Sequence, residues 1–265
     1  MNLAQLNRAG LRLGILAPRC GAFAGRMSSL NAGDGDYDRL LHQIQRLRGQ
    51  TYLADGAIAS QALEADGRLA SPVDEESFQL FLRNKEQGII ATIRARMLGA
   101  GAALDMLKVS EFISRLRNGE RELFRAAVER YLAQARERGW GIGEVGGWAV
   151  DGSARHSLAA LILPLAVWAL YQSLGEWHVL ATATVRHHSA DLLVRLGGYH
   201  LLADGRPLPG IFDPVFGCQM ELLGFDCQSV AIMHRNLVAE IRGFLTNSNK
   251  RLSLQPDLNV YEQSQ

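Results

Sequence analysis

The chain has 265 residues, 48% of them hydrophobic, which suits one α/β domain with short extensions and a sizeable core. Its formal net charge of +1 gives no overall field that would favour nucleic acid or an anionic membrane. The three cysteines, Cys20, Cys218 and Cys227, lie far apart and lack the short paired spacing of a zinc site. The sequence therefore predicts a reduced, cytoplasmic protein with no structural disulfide and no nucleic-acid partner.

Residues 1–34 are predicted to form a basic N-terminal arm, because the stretch contains several arginines and its first acid is Asp34. It is too polar for a secretory signal, so we expect a loosely held segment that could contact a membrane surface peripherally. The uncharged run 157–175 raises the question of a membrane span. Pro164 and Gln172 favour instead a helix buried against a sheet, and no transmembrane segment is predicted.

Residues 35–248 are predicted to form the folded domain. Apolar residues recur at helical spacing over 37–53, which predicts an amphipathic helix. The segment GIIATIRARM at 88–97 begins apolar and then alternates, which predicts a strand with Arg94 and Arg96 on one face.

Residues 105–138 are predicted to be a helical insertion of one or two helices. This insertion is rich in arginine, and its basic face is interpreted either as a solvated surface or as a docking surface for an acidic protein. Further on, IFDPVFGCQMELLGFD at 211–226 predicts a hairpin, and 230–245 predicts a closing helix. Residues 249–265 are predicted to be a polar C-terminal tail.

The stretch from Glu144 to Tyr199 carries the strongest chemical signal. A short apolar strand ends at Val150, and a polar turn with Arg155 precedes a long apolar helix. A second buried strand and a helix closed by Gly197-Gly198 follow. Amides at a helix N-terminus are unpaired and favour anions, so the turn is a candidate anion-binding site.

This order of elements resembles the core of the GNAT superfamily of N-acyltransferases. The resemblance implies an α/β fold with a central mixed, twisted sheet, splayed middle strands and flanking helices. In acetyl-coenzyme A users the turn reads Arg/Gln-x-x-Gly-x-Gly/Ala, whereas here Leu158 takes the first glycine position. A branched side chain crowds a backbone cradle meant for pyrophosphate. This favours acyl carrier protein as the donor's carrier, with coenzyme A left open.

Four stretches narrow the resemblance to the N-acyl amino acid synthases, which are similar in fold to the acyl-homoserine-lactone autoinducer synthases. The resemblance implies transfer of a long acyl chain from acyl carrier protein to the α-amine of an amino acid by direct attack. It implies no cofactor beyond the phosphopantetheine thioester substrate. Autoinducer synthases carry Arg where this chain has Gly147, which disfavours an S-adenosylmethionine acceptor. The four stretches are Leu47-Arg48 with Tyr52, Ile90–Arg96, Glu144–Val150 and Phe212–Asp226.

Roles follow from this chemistry and from the resemblance. Burial near Trp148 would raise the pKa of Glu144, which is predicted to be the general base; a salt bridge to Arg94 or Arg96 is the alternative. Backbone N–H groups near Ala149 and Val150 are predicted to bind the oxyanion, and Tyr199 to protonate the thiolate. The predicted donor-binding residues are Arg155, His156, Ser157, Thr182 and Thr184, and the predicted acceptor-binding residues are Arg48, Tyr52, Arg94, Arg96 and Trp148.

Two further functions stay open: a coenzyme A-dependent N-acetyltransferase, and a non-catalytic module that binds acyl carrier protein or lipid. His187 and His188 are adjacent near a helix start and therefore point apart. No carboxylate or cysteine lies at ligand spacing from them, so no metal site is predicted.

Overall fold

The computed structural model describes residues 3–25, 34–86, 88–155 and 159–246. Most of its strands form one sheet in the order β1-β2-β3-β4-β5-β10-β6, with β9 paired to β10 and a separate β7–β8 hairpin. Among the described residues β4 and β5 are parallel and the other pairs are antiparallel. The strands are β1 (Leu11–Leu16), β2 (Ser77–Asn84), β3 (Gly88–Gly99), β4 (Gly141–Val150), β5 (Trp177–Thr184), β6 (Tyr199–His200), β7 (Leu202–Ala203), β8 (Arg206–Pro207), β9 (Ile211–Asp213) and β10 (Cys218–Asp226).

Helices cover both faces of this sheet. On one face α5, α6 and α7 share a core with the inward side chains of β1 to β5 and β10. On the other face α2 packs over β1 to β4, while α3 and α4 pack over β4, β5 and β10. The helices are α1 (Leu3–Arg8), α2 (Asp34–Ala54), α3 (Val109–Ser114), α4 (Asn118–Glu137), α5 (Ala159–Leu174), α6 (Ser189–Leu196) and α7 (Arg235–Thr246).

Several predicted elements are confirmed. The amphipathic pattern over 37–53 lies in α2, and the basic segment 105–138 folds into α3 and α4. Strand β3 buries Ile93 and Ala95 on one face, as its alternation requires. The uncharged helix α5 is buried because both α7 and the sheet pack against it. No helix among the described residues is long and apolar enough to cross a membrane.

Two predictions in the terminal regions need correction. The loosely held N-terminal arm is wrong for residues 11–16, which pair with β2 along their whole length. Leu13 and Ile15 alternate into the core, a strand pattern that outweighs the surrounding arginines. The closing helix starts later than predicted, at Arg235, after a short 3-10 turn. The predicted polar tail 249–265 lies outside the described residues.

Candidate active site

The parallel strands β4 and β5 separate half-way along their length. Their pairing runs from Gly141 and Trp177 to Val145 and Ala181 and continues no further in the described structure. Beyond that point β4 stays with β3, and β5 stays with β10. The predicted splay of the middle strands is confirmed, and it opens a gap lined by backbone groups that the sheet leaves unpaired.

A bulge in β4 lies just past the point of separation. Thr92 pairs with Ala149 and Arg94 with Gly146, so Gly147 and Trp148 together oppose a single residue of β3. Gly147 has φ +61°, a left-handed conformation that a side chain disfavours. A Cβ on Gly147 would lie 2.8 Å from the guanidinium of an arginine on α2. The bulge therefore brings the strand close to a cation.

One backbone amide of β4 points into the gap. The N–H of Asp151 donates to the carbonyl oxygen of Ile90 at 2.8 Å, in register with the β3–β4 ladder. Because successive N–H groups alternate between the two sides of a strand, the N–H of Val150 points away from β3, towards the separated β5. The N–H of Ala149 points back to β3. Of the two predicted oxyanion donors, Val150 is the one placed for the role.

Two arginines share one buried carboxylate beside the bulge. Arg48 Nη2 lies 2.6 Å from Asp74 Oδ2, and Arg94 Nη1 lies 2.8 Å from Asp74 Oδ1. The side chains of Arg48 and Asp74 are 3% and 2% exposed. Burial alone would raise the pKa of Asp74, but the two guanidinium charges and the bond from Gln45 outweigh it and lower that pKa. The cluster keeps one positive charge in excess.

The positive charge of Arg48 and Arg94 that Asp74 does not neutralise lies beside Gly146 and Gly147 of β4. Arg48 donates through Nη2 to Asp74 and Leu69, while its buried Nε has no partner among the described residues. Its Nη1 faces Gly147, and a Cβ on Gly146 would lie 3.6 Å from Nη2 of Arg94. Burial and the neighbouring Arg48 lower the pKa of Arg94, so an additional anion here would be stabilising.

Aromatic side chains close this region. The hydroxyl of Tyr52 donates to the carbonyl oxygen of Trp148 at 3.3 Å. The Tyr52 ring packs edge-on against Phe216 of the β9–β10 hairpin, with ring centroids 6.3 Å apart. An ion pair of 2.6 Å between Arg115 and the buried Asp213 holds this hairpin against the end of α3. The structure thus brings the side chains of Arg48, Tyr52 and Arg94 together, whereas Trp148 contributes its backbone carbonyl and its side chain packs with the core on the α5 face.

Arg96 lies apart from that group. Its guanidinium binds Glu76 at 2.6 Å and donates to the carbonyl oxygen of Met106 at 2.6 Å. Arg96 therefore ties β3 to the segments before β2 and α3, and the structure gives it no group free for an acceptor.

Glu144 is 8% exposed and anchors the start of α3. Its two oxygens accept the backbone N–H groups of Lys108 at 2.8 Å and Val109 at 2.7 Å. Burial raises the pKa of Glu144 despite these two bonds and the nearby positive charge of Arg94 and Arg96. The direction of this shift is the predicted one. The alternative of a salt bridge is wrong, because Arg94 pairs with Asp74 and Arg96 with Glu76.

Replacing Glu144 by Gln is expected to lower the free energy of unfolding by about 1–3 kcal/mol, because the new NH₂ group would face one of the two amide donors. The melting temperature should fall by about 2–12 °C. Glu111→Gln removes an exposed carboxylate from the same helix and is the matched control, with an expected change below about 0.5 kcal/mol. Equal melting temperatures for the two variants would contradict the anchoring role.

Tyr199 is not placed at the opening. Its hydroxyl lies 3.3 Å from that of Tyr131, which itself lies near the carbonyl oxygens of Val179 and Phe225. All of these groups belong to the still-paired part of the sheet, before the separation at Ala181. Burial raises the pKa of Tyr199, which makes it a weaker proton donor. The predicted role in protonating the thiolate therefore lacks geometric support.

Three of the five predicted donor-binding residues lie around the open end of the gap. Thr182 and Thr184 are half-buried on the part of β5 that has left β4. Arg155 follows β4 and binds Asp55 at 2.6 Å. His156 and Ser157 lie outside the described residues, as does Leu158. Within the described ranges no group of three or more His, Cys, Asp or Glu side chains is placed to hold a metal ion.

Sequence reasoning missed Asp74, the acid that joins Arg48 to Arg94. It also missed Asp55 and Arg186 at the open end of the gap, where Arg186 donates to the carbonyl oxygen of Asp55 at 2.7 Å. Buried arginines imply a counter-charge somewhere, and this was the available signal. It does not identify which acid supplies the charge.

In structure the chain is similar to acyl-homoserine lactone synthases. The CoA-dependent synthase BjaI, solved with SAM and isopentyl-CoA, has a TM-score of 0.53 at 14% identity, over 89% of this chain and 90% of that one. The CoA-dependent synthase MesI has a TM-score of 0.50 at 15% identity, over 88% and 95%. This chain has their fold. At such identities the likeness shows the fold alone, and the predicted α/β class with a central mixed sheet flanked by helices is confirmed.

The N-acyl amino acid synthase FeeM, from uncultured soil microbes, has a TM-score of 0.48 at 15% identity, over 85% of this chain and 96% of that one. That likeness is too loose to carry an argument. No family model matches the chain, and no curated protein matches it. The chemistry of the site must therefore be argued from its own residues.

Proposed function

We propose that this chain is an acyltransferase that moves a long acyl group from a phosphopantetheine thioester to the α-amine of an amino acid. The observation that carries the proposal is the excess positive charge of Arg48 and Arg94, over Asp74, beside the gap between β4 and β5. A free amino acid holds its carboxylate next to its amine. An anion bound at this cluster therefore places the amine near the edge of β4.

The carboxylate fits the groups that the cluster offers. Nε and Nη1 of Arg48 and Nη2 of Arg94 are N–H donors on the side of the cluster that faces β4. A guanidinium matches a carboxylate with two parallel hydrogen bonds. The missing side chain of Gly147 lets the Arg48 guanidinium lie against β4, beside the gap.

The reaction proceeds by direct attack. The neutral amine attacks the thioester carbonyl carbon, a C–N bond forms, and the C–S bond breaks to release the thiol. The oxyanion that develops is stabilised by the N–H of Val150, which points into the gap. An α-ammonium group has a pKa near about 8, so a modest base suffices to remove its proton. A water molecule at the opening suffices for this step. The predicted base Glu144 is not assigned to it, because it lies in the still-paired part of β4 and its oxygens accept the N–H groups of Lys108 and Val109.

Apolar side chains on the α3 and α4 face support a long acyl group. The face of β5 that carries Thr182 also carries Leu180, and the partner of Thr182 on β10 is Leu222. Leu180 and Leu222 belong to one hydrophobic cluster with the apolar side of α3 and with Phe216. An acyl chain that leaves the gap on this face meets hydrocarbon, which favours it by about 25 cal/mol per Å² of apolar surface buried.

The donor is proposed to be carried by acyl carrier protein. The helical insertion at 105–138 carries eight Lys and Arg against six Asp and Glu, and this excess of positive charge supports docking of an acidic carrier. Coenzyme A presents the same phosphopantetheine arm and is the alternative donor.

Purified protein incubated with acyl carrier protein thioesters or coenzyme A thioesters, and with a panel of amino acids, tests the proposal by mass spectrometry. N-acyl amino acids are the expected products. Each amino acid should be paired with its carboxamide, which keeps the amine but loses the negative charge. The carboxamide is expected to react about 10–100-fold less efficiently.

The outcomes separate the parts of the proposal. No product with any donor and acceptor would contradict the acyltransfer itself. Equal rates for amino acids and carboxamides would keep the activity but remove Arg48 and Arg94 from acceptor binding.

A further inference from the structure

One carboxylate, Asp55, bridges the open end of the gap between β4 and β5. Its Oδ1 lies 2.6 Å from Arg155 Nη2, and its Oδ2 lies 3.3 Å from His187 Nε2. Arg186 donates through Nη1 to the backbone carbonyl of Asp55 at 2.7 Å. A single acid at the end of α2 thus gathers three basic side chains.

These basic side chains extend from the ends of the two strands that separate. Arg155 follows β4 after a short turn, and Arg186 and His187 come directly after β5. Arg186 also donates through Nη2 to the carbonyl of Gly217, which places the β9–β10 hairpin at the same end. An anionic group on a ligand that enters the gap from this end therefore lies close to Arg155, Arg186 and His187.

The position of Asp55 is not explained by α2 itself. A helix C-terminus carries partial negative charge, so a carboxylate directly after Ala54 is disfavoured by the helix and is held by its basic partners. The carboxylate is 14% exposed. Asp151, the other acid near Arg155, is bonded to Ser153 instead. Asp55 is therefore the acid that forms the ion pair with the Arg155 guanidinium.

We infer that Arg155, Arg186 and His187 form a cradle for the phosphate of the donor's phosphopantetheine arm, and that Asp55 competes with this phosphate for the cradle. The inference rests on the proposed function and assigns Asp55, Arg186 and His187 to donor selection. A phosphodiester offers anionic oxygens to the same donors that hold the Asp55 carboxylate. Binding of the arm then releases the end of α2 from Arg155.

Asp55→Asn is expected to tighten binding of phosphopantetheine about five- to tenfold, because a negative charge a few ångströms from the phosphate is removed. Binding of pantetheine, which is identical apart from the missing phosphate, should not change. Isothermal titration calorimetry with each compound gives the two dissociation constants and their ratio. Holo-acyl carrier protein and coenzyme A, run as further ligands, carry the same phosphate; the tighter of the two identifies the natural source.

Three further variants complete the test. Glu129→Gln removes an acid from an exposed pair with Arg125 and should leave the ratio at its wild-type value. Asp55→Glu keeps the competing charge, so its preference for phosphopantetheine should stay below that of Asp55→Asn. Arg186→Gln should weaken phosphopantetheine but not pantetheine. Thermal unfolding of each variant verifies that it is folded.

An unchanged ratio in Asp55→Asn, with phosphopantetheine still preferred by the wild type, would overturn the competition and leave the proposed function standing. Equal binding of phosphopantetheine and pantetheine by the wild type would overturn the cradle. Failure of the wild type to bind either compound would contradict the proposed donor as well.

Discussion

Asp74→Asn is expected to destabilise the protein by about 3–5 kcal/mol, because it leaves Arg48 and Arg94 buried without their shared counter-charge. The arginines would then repel each other in a region from which water is largely excluded. Asn also replaces one of the two acceptor oxygens by an NH₂ group, which would then face either Arg94 or the donors that now bind Oδ2. For a domain of this size, the melting temperature should fall by about 6–20 °C.

Urea unfolding measures the loss, and Glu129→Gln, in an exposed ion pair, is the control with an expected change below about 0.5 kcal/mol. The difference between wild type and Asp74→Asn should depend on pH. The pKa of Asp74 is lowered in the folded state, so its contribution is complete above the unfolded value of about 3.9 and is lost as the pH falls through the folded value. A difference that stayed constant below pH about 4 would contradict an ionised Asp74.

Helices and strands are predicted well from the sequence where apolar side chains follow a single helical or strand period. Strand β3 alternates between an arginine face and an apolar face, and α5 lacks charge over its whole length. Strand β1 was not predicted, because residues 11–16 were assigned to a loosely held arm. Its apolar alternation, LRLGIL, is short and lies between arginines, so the composition of the segment obscured it. Gly14 has no local requirement for glycine; the ring of Phe81 on β2 occupies the space of its missing side chain.

The candidate site was predictable in its arginines but not in its acids. Arg48 and Arg94 lie on elements whose faces can be derived from periodicity, so their approach to β4 follows from the fold. Asp74 lies in an irregular stretch before β2, and no local pattern directs its side chain to them. The partner of a buried charge is set by tertiary packing.

The contacts of Glu144 and Tyr199, the two side chains with predicted catalytic roles, could not be predicted from the sequence either. The resemblance placed both near the acyl donor, but their partners come from the helical insertion. The amides at the start of α3 occupy Glu144, and Tyr131 of α4 occupies the hydroxyl of Tyr199. An insertion packs according to its own sequence, so a role inferred from the common core is unreliable where the insertion covers it.

Gly147→Ala is expected to lower kcat/KM for the amino acid about 100-fold, which corresponds to about 2.7 kcal/mol in the transition state. The new methyl group would lie 2.8 Å from Nη1 of Arg48 and would displace the guanidinium that is proposed to bind the acceptor's carboxylate. The positive φ of +61° adds backbone strain of about 1–2 kcal/mol. Steady-state kinetics with the preferred amino acid measures the loss.

The neighbouring glycine provides the matched control. A Cβ on Gly146 would meet Arg94 Nη2 at 3.6 Å, an ordinary contact, and Gly146 lacks the left-handed backbone of Gly147. Gly146→Ala is therefore expected to lower kcat/KM less than about fivefold. Thermal unfolding of both variants separates strain from the loss of the site. A destabilised Gly147→Ala variant that still acylates amino acids at the wild-type rate would contradict the proposed acceptor site. Such a variant would show that displacing the Arg48 guanidinium does not matter and that the acceptor's carboxylate binds elsewhere.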